Sequence, residues 1–167
     1  IQKPSVCNAL ETLLIHKDVA EKFAPQIAEN LFAKNVELRG DDAFQQLAGV
    51  DVKPATVDDW TAEYLDYILA VRVVDSLDDA ITHINEFGSH HTDSIVTANG
   101  AAADQFHLEV DSACVFWNTS TRFADGAEFG FGAEIGISTD KLHARGPMAL
   151  EELCSYKYLS FGSGQLK

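Results

Sequence analysis

Methionine occurs once, at Met148, and cysteine only three times, as Cys7, Cys114 and Cys154. Thiols at those spacings form neither a metal-type pair nor a disulfide framework, and their odd count fits reduced side chains in a cytosolic, cytoplasmic setting. Basic residues are scarce as well. Lys and Arg number 12 against 26 Asp and Glu, a formal charge of -14. A surface that acidic repels phosphate backbones and anionic lipids, which argues against nucleic acid and membrane as partners. An anionic substrate would need a locally positive pocket. No apolar run approaches membrane-spanning length, and no signal-like apolar stretch opens the chain. There is no internal repeat and no low-complexity tract. Because the chain begins at Ile1 and carries no earlier methionine, it is expected to be a piece of a longer product.

What is there is an ordinary globular composition: 167 residues, 46% hydrophobic and 23% charged, enough for one domain with a proper core. Short apolar runs alternate with amphipathic stretches. Strands are expected at 12–15, 36–39, 68–74, 94–97 and 113–117, the β-branched 68–74 being the strongest. Helices are expected at 17–33, 41–48, 77–87 and 101–110. The first should be capped by Asp18, bury Val19, Phe23, Ile27 and Leu31, and kink at Pro25. Ser76 should cap the third, with Leu77, Ala80, Ile81 and Ile84 inward and Gly88 as its stop. Such alternation means an α/β fold, a mostly parallel sheet with helices on both faces. Residues 49–59 read as an irregular connection. The Gly- and Phe-rich stretch 118–136 is too apolar for a solvated linker and is expected to pack over the sheet edge as a functional loop. A short helix near 149–154 and a strand at 156–161 follow, and a strand at a chain end wants a pairing partner, possible in another subunit.

Several side chains carry candidate chemistry. In Lys3-Pro4-Ser5-Val6-Cys7-Asn8-Ala9-Leu10-Glu11-Thr12, Asn8-x-x-Glu11 has capping-box spacing. A thiol opening such a helical turn would face free N–H groups and the positive end of a dipole, both favouring thiolate. Cys7 is therefore a candidate nucleophile; its alternative is a small buried hydrophobe. Cys114, within a strand, reads as core. His90-His91 with Asp93, and His83 one helix back, could be drawn as a metal cluster. Adjacent histidines converge poorly on one ion, so no metal is expected. His91 could instead orient a partner near the thiol. Gly130-x-Gly132-x-x-x-Gly136 has the wrong spacing and context for a phosphate cradle, and close backbone packing accounts for its glycines. Arg122, a rare cation in a Phe/Gly loop, suits a carboxylate or phosphate, or else pairs with Asp125 or Glu128. Glu63, just before the strong strand, reads as a solvated acid.

Five separated motifs in order then point to a family. They are the Cys7 segment, Gly88-Ser89-His90-His91-Thr92-Asp93, Val110-Asp111-Ser112-Ala113, Ser120-Thr121-Arg122-Phe123-Ala124-Asp125-Gly126 with residues 129–136, and His143-Ala144-Arg145-Gly146-Pro147. Together they resemble the C-terminal catalytic half of the gamma-glutamyl phosphate reductases, also called glutamate-5-semialdehyde dehydrogenases. The reductase half of the bifunctional proline-precursor synthases is similar too. The resemblance implies the aldehyde dehydrogenase fold, with residues 1–141 as a catalytic thiol domain and 142–167 as a C-terminal segment whose strand builds homo-oligomers. The N-terminal cofactor-binding domain would be absent from this chain.

On that resemblance Cys7 is the nucleophile. Glu63 falls where relatives carry the Glu of an E-x-F-G-P motif that holds the nicotinamide ribose. Here Tyr64-Leu65-Asp66-Tyr67 follows, a departure. Ser120, Thr121, Arg122 and Phe123 fall on the substrate-lining loop, with Arg122 expected on an anionic group. The implied reaction, in proline biosynthesis, is NADPH-dependent conversion of gamma-glutamyl phosphate to glutamate 5-semialdehyde and phosphate through a Cys thioester. NADPH would be bound mainly by the missing domain, which would also supply an Asn for the oxyanion beside the Cys7 N–H. A functional link to glutamate 5-kinase is implied as well, and the 167 residues alone are expected to be inactive. Two alternatives stand beside this reading: another thiol-dependent aldehyde dehydrogenase, or a non-catalytic assembly and binding module.

Overall fold

The computed structural model describes Ile1–Lys167. In chain order the elements are β1 (Thr12–His16), α1 (Lys17–Phe32), β2 (Glu37–Gly40), α2 (Asp42–Leu47), the two-residue β3 (Lys53–Pro54), a 3-10 turn (Val57–Trp60) and β4 (Ile68–Val74). Then come α3 (Leu77–Phe87), β5 (Thr92–Ile95), α4 (Gly100–Glu109), β6 (Cys114–Trp117), β7 (Gly136–Ser138) and β8 (Gly146–Met148). The α/β class stands. Four parallel strands in the order β1-β4-β2-β3 form the main sheet, β5 and β6 form a separate parallel pair, and β7 and β8 an antiparallel one. No helix is long and apolar enough to cross a membrane.

β4 is central because its run of apolar residues tolerates burial on both faces. Leu69, Ala70, Val71 and Val74 are all buried. Leu69 and Val71 join Ile15, Leu38 and Phe44 in the larger core; fully burying side chains of the size of Leu38, Val71 or Phe44 contributes roughly 1.5–3 kcal/mol each. Asp41 ties α2 to that centre twice, accepting from Phe44 N as the helix cap and from Val73 N of β4. A smaller core of Ile81, Phe106 and Val110 joins α3 and α4 to the β5–β6 pair.

The face of α1 differs from the expected one. Ala20, Ala24 and Ala28 are buried, whereas Val19 and Phe23 are 41% and 40% exposed; Ile27 and Leu31 pack only at the core margin. Small residues at four-residue spacing let the helix backbone approach the sheet closely, so the inward stripe is one residue out of phase with the bulky one. The cap is His16, whose Nδ1 accepts from Asp18 N, not Asp18. The helix runs unbroken through Pro25.

Other boundaries moved by a few residues. β5 begins two residues earlier than expected, in register with β6 through Thr92 and Cys114. Lys53–Pro54 adds a short edge strand inside the expected irregular stretch, where Pro is tolerated because its missing N–H faces outward. Ser76 caps α3 as expected, accepting from Asp79 N. Gly88 follows it with φ -67, so its glycine is required by space: a Cβ there would stand 2.5 Å from Ile84 O. The expected terminal strand at 156–161 is not formed within the chain. These residues pair with no strand of the chain, and Tyr156, Tyr158 and Phe161 are almost entirely exposed. The helix expected near 149–154 is a single 3-10 turn, Glu151–Leu153.

His83 of α3 lies in the interior. Arg72 donates to its Nδ1 at 2.7 Å, Trp60 and Phe87 flank the ring, and Nε2 has no partner. Burial, then the Arg72 charge, push its pKa down to about 4. The unfolded chain therefore binds this proton more readily, and stability is lost as pH falls from about 6.5 toward 4. In urea titrations across that range, His83→Gln should show a shallower acid-side loss of stability than the native chain.

Candidate active site

Parallel pairing of β1 with β4 brings the segments preceding both strands to one end of the sheet, and Ala70 N donates to Glu11 O there. Cys7 therefore shares an edge with Glu11 and with the 63–67 segment. The capping box expected at Asn8-x-x-Glu11 does not form. Residues around Cys7 make a turn closed by Ala9 N on Val6 O at 3.0 Å, with no helix and so no helix dipole at the sulfur. Cys7 is exposed in the centre of that turn. Partial desolvation, then the carboxylates of Glu134 and Glu63, push its thiol up, against a weaker pull from its backbone N–H and from Arg122. The expectation of a spontaneously favoured thiolate is thus corrected.

Asn8 takes a different role, buried between two loops. Its Nδ2 donates to Ala124 O at 3.0 Å, its Oδ1 accepts from Arg122 Nη1, and its backbone O accepts from Thr121 Oγ1 at 2.8 Å. The Cys7 turn is thereby stapled to the 120–124 loop, more than a hundred residues away. That loop is a 3-10 turn, Thr121–Phe123, capped by Ser120 Oγ accepting from Arg122 N. Arg122 forms no ion pair, so the expected alternative with Asp125 or Glu128 is not realised. Ser120, Thr121, Arg122 and Phe123 line an open cavity of about 920 Å³, with Glu11 and Tyr64 also on its wall. Cys7 stands beside this cavity's Pro4 and Ala9 but does not itself line it.

The rest of the 118–136 stretch is more exposed than expected. Ala124 and Gly126 are buried, but Phe123, Phe129, Phe131 and Ile135 are 40–66% exposed. Gly126 is forced by space, since a Cβ would meet Ala133 O at 2.4 Å, and its N–H donates to Glu134 Oε2 at 2.8 Å. Gly130 and Gly132 have φ +81 and +76 with open space around them. Backbone conformation requires glycine at these two, not close packing.

Glu63 is exposed and carries no ion pair or hydrogen bond, but its charge acts on Cys7, Glu11 and His91. Its segment is held by Asp59, which accepts from Arg39, Thr56 and Tyr64. Burial pushes the Asp59 carboxyl up, and these hydrogen bonds overcome it and hold it well below the usual range. Glu11 is pushed up to about 7, first by desolvation and then by Glu63. The histidines separate: His90 bonds Asp111 O through Nδ1, while His91 is buried with Nδ1 on Thr92 Oγ1. Cys114 is buried, as expected. Asn8, Glu11 and Glu134 are the site residues that sequence patterns passed over. The signals for Asn8, a polar residue next to a candidate nucleophile and a capping-box spacing, did not point to this role.

Asn8→Ala should leave Arg122 and Ala124 without partners in a half-buried place, costing about 1–3 kcal/mol. It should also loosen the two loops together, read as faster limited proteolysis between residues 118 and 126 in a chain that still unfolds cooperatively.

No family model matches the chain. Curated relatives do. It is 56% identical over 167 residues to a gamma-glutamyl phosphate reductase of Limosilactobacillus reuteri, covering all of this chain and 40% of that protein. It is 59% identical over 166 residues to one from Geotalea daltonii, again 40% of its length. The chain thus spans about two fifths of the curated relatives it matches. A crystal structure of gamma-glutamyl phosphate reductase from Thermotoga maritima superposes with a TM-score of 0.95 at 48% identity, over 99% of this chain and 40% of that one. Aldehyde dehydrogenase 21 from Physcomitrella patens, 10% identical, shares the fold at a TM-score of 0.54 over 72% of this chain and 33% of its own. By sequence along its whole length and by backbone, this chain is similar to two fifths of the length of the gamma-glutamyl phosphate reductases, and its fold is that of the aldehyde dehydrogenases.

Proposed function

We propose that these residues form the catalytic thiol domain of an NADPH-dependent reductase that converts gamma-glutamyl phosphate to glutamate 5-semialdehyde and phosphate. The observation carrying this reading is the Asn8 staple, which holds an exposed thiol and an unpaired guanidinium on adjoining loops. A thiolate attacks the acyl carbon, phosphate departs, and a Cys7 thioester results. The Cys7 N–H suits the developing oxyanion. Arg122 uses one of its five N–H donors on Asn8, leaving a planar fork for a carboxylate or phosphate of the substrate. Ser120, Thr121 and Phe123 complete the wall on that side.

A nicotinamide group would supply the hydride that reduces the thioester, and Glu63 would hold it. Its carboxylate is exposed, unpaired and on the same edge as Cys7, as an acceptor for ribose hydroxyls requires. NADPH preference, the cofactor domain, homo-oligomer formation through the C-terminal segment, the link to glutamate 5-kinase, a cytoplasmic location and a place in proline biosynthesis belong to the same proposal. The 167 residues by themselves should not turn over.

The test uses the polypeptide that joins this chain to a nicotinamide-binding domain, assayed for phosphate-dependent oxidation of glutamate 5-semialdehyde. Cys7→Ser should lower kcat by about a thousandfold or more, and unchanged turnover would overturn the reading. Arg122→Lys should act mainly on KM for the semialdehyde, by about tenfold, and much less on an uncharged aldehyde of similar length. Equal effects on both substrates would remove Arg122 from the anion site.

A further inference from the structure

The cavity beside the Cys7 turn carries two unmatched charges of opposite sign. Arg122 is on its wall without an ion pair, and Glu11, half-buried on the same wall, has no ion-pair partner either. Asn8 bounds their separation. Its Oδ1 accepts from Arg122 Nη1, and Glu11 follows it by three residues, a span of at most about 10 Å between Cα atoms. The guanidinium and the carboxyl thus face one small volume without neutralising each other.

Glu11 also starts from fixed backbone. Its carbonyl accepts from Ala70 N of β4 at 3.0 Å, immediately before β1 begins. The other charged side chains of the cavity are Lys3, Asp66 and Glu128, all exposed, and Asp66 already accepts from Tyr67 N. Tyr64 is engaged too, its hydroxyl donating to Asp59 Oδ1 at 2.8 Å. Glu11 is therefore the acid of this wall that is partly withdrawn from water. Desolvation, then the Glu63 charge, push its carboxyl up to about 7. A cation arriving beside it would favour the carboxylate form, and the ion pair would be stronger there than at the exposed acids.

We propose that Glu11 binds the α-ammonium of the substrate while Arg122 takes the α-carboxylate, so that the two together recognise the head of an amino acid. The identity of that amino acid rests on the reaction proposed above, whose substrate carries both groups on one carbon. A planar fork and a carboxylate on one cavity suit such a pair, the first supplying donors only and the second acceptors only. The rest of the substrate then extends from this head toward Cys7, four residues before Glu11 and within about 14 Å of it between Cα atoms. The Val6–Ala9 turn shortens that path. A polar group built to meet an ammonium selects strongly against a ligand that lacks one, because the group is then left unpaired.

The experiment is protection of Cys7 from iodoacetamide at neutral pH, in the polypeptide that joins this chain to a nicotinamide-binding domain, resolved by cysteine with mass spectrometry. The protecting ligands are L-glutamate and glutarate, which differ by the amino group alone. Glutamate should halve the Cys7 labelling rate at a concentration about tenfold or more below that of glutarate. Glu11→Gln should abolish this advantage by weakening glutamate, and Arg122→Lys should weaken both ligands. No protection by glutamate, equal protection by the two, or a glutamate advantage that survives in Glu11→Gln would overturn the proposal. If Glu11→Gln melts below the assay temperature, the shorter Glu11→Asp is read by the same ratio. Protection requires no turnover, so the two readings fail separately. A glutamate advantage that depends on Glu11, with semialdehyde turnover indifferent to Cys7→Ser, would sink the proposed reaction and leave the amino-acid site. Turnover lost on Cys7→Ser without any glutamate advantage would do the reverse.

Discussion

Asn8 is the constraint on which the arrangement depends. One buried amide, offering a donor and an acceptor, binds Ala124 O and the Arg122 guanidinium while its own backbone accepts from Thr121. Neither loop has enough apolar content near the staple to hold itself. Phe123 is half exposed, and only Ala124 and Gly126 are inside. Hydrogen bonds in a place shielded from water therefore do what packing does elsewhere in the molecule. They also set the spacing between the Cys7 sulfur and the Arg122 guanidinium, on which the proposed reaction with an anionic acyl compound would depend.

The sheet contributes position. Parallel pairing forces the segments entering β1 and β4 to the same end, so the Cys7 turn and the Glu63 segment meet without any direct bond between them. The Asp59 network with Arg39, Thr56 and Tyr64 then fixes the second of these. Partial desolvation and two carboxylates, Glu134 and Glu63, disfavour a negative charge on the thiol, and desolvation with Glu63 likewise pushes Glu11 up to about 7. Surface acidity spread over the whole chain, at -14, deepens that bias and makes the unpaired Arg122 more conspicuous as an anion anchor.

Much of the fold was legible because it rests on local pattern. The β-branched run at 68–74, the Ser76 cap and the α/β alternation each follow from side-chain shape and spacing within a dozen residues. The inward face of α1 was not, because side-chain bulk does not mark the buried face here. The sheet surface instead admits the helix only through Ala20, Ala24 and Ala28. Cys7, Arg122 and the 120–123 loop were found from residue type and from family resemblance. Their juxtaposition through Asn8 was invisible, since capping-box spacing and a long-range staple use the same residue. The half-buried carboxyl of Glu11 was equally hidden, its burial being a property of its neighbours.

Sequence alone determined the class of the fold, the acid-rich composition, the candidate nucleophile and the family resemblance, because each is carried by composition, short-range periodicity or motifs readable in a line. Tertiary structure decided how those parts act: that Cys7 sits in a turn without a dipole, that Arg122 is left unpaired, that Gly126 and Gly88 are forced by space while Gly130 and Gly132 are forced by φ, and that residues 156–161 find no strand within the chain. Each of these depends on atoms far apart in the chain meeting at hydrogen-bond or van der Waals distance, which no local pattern encodes.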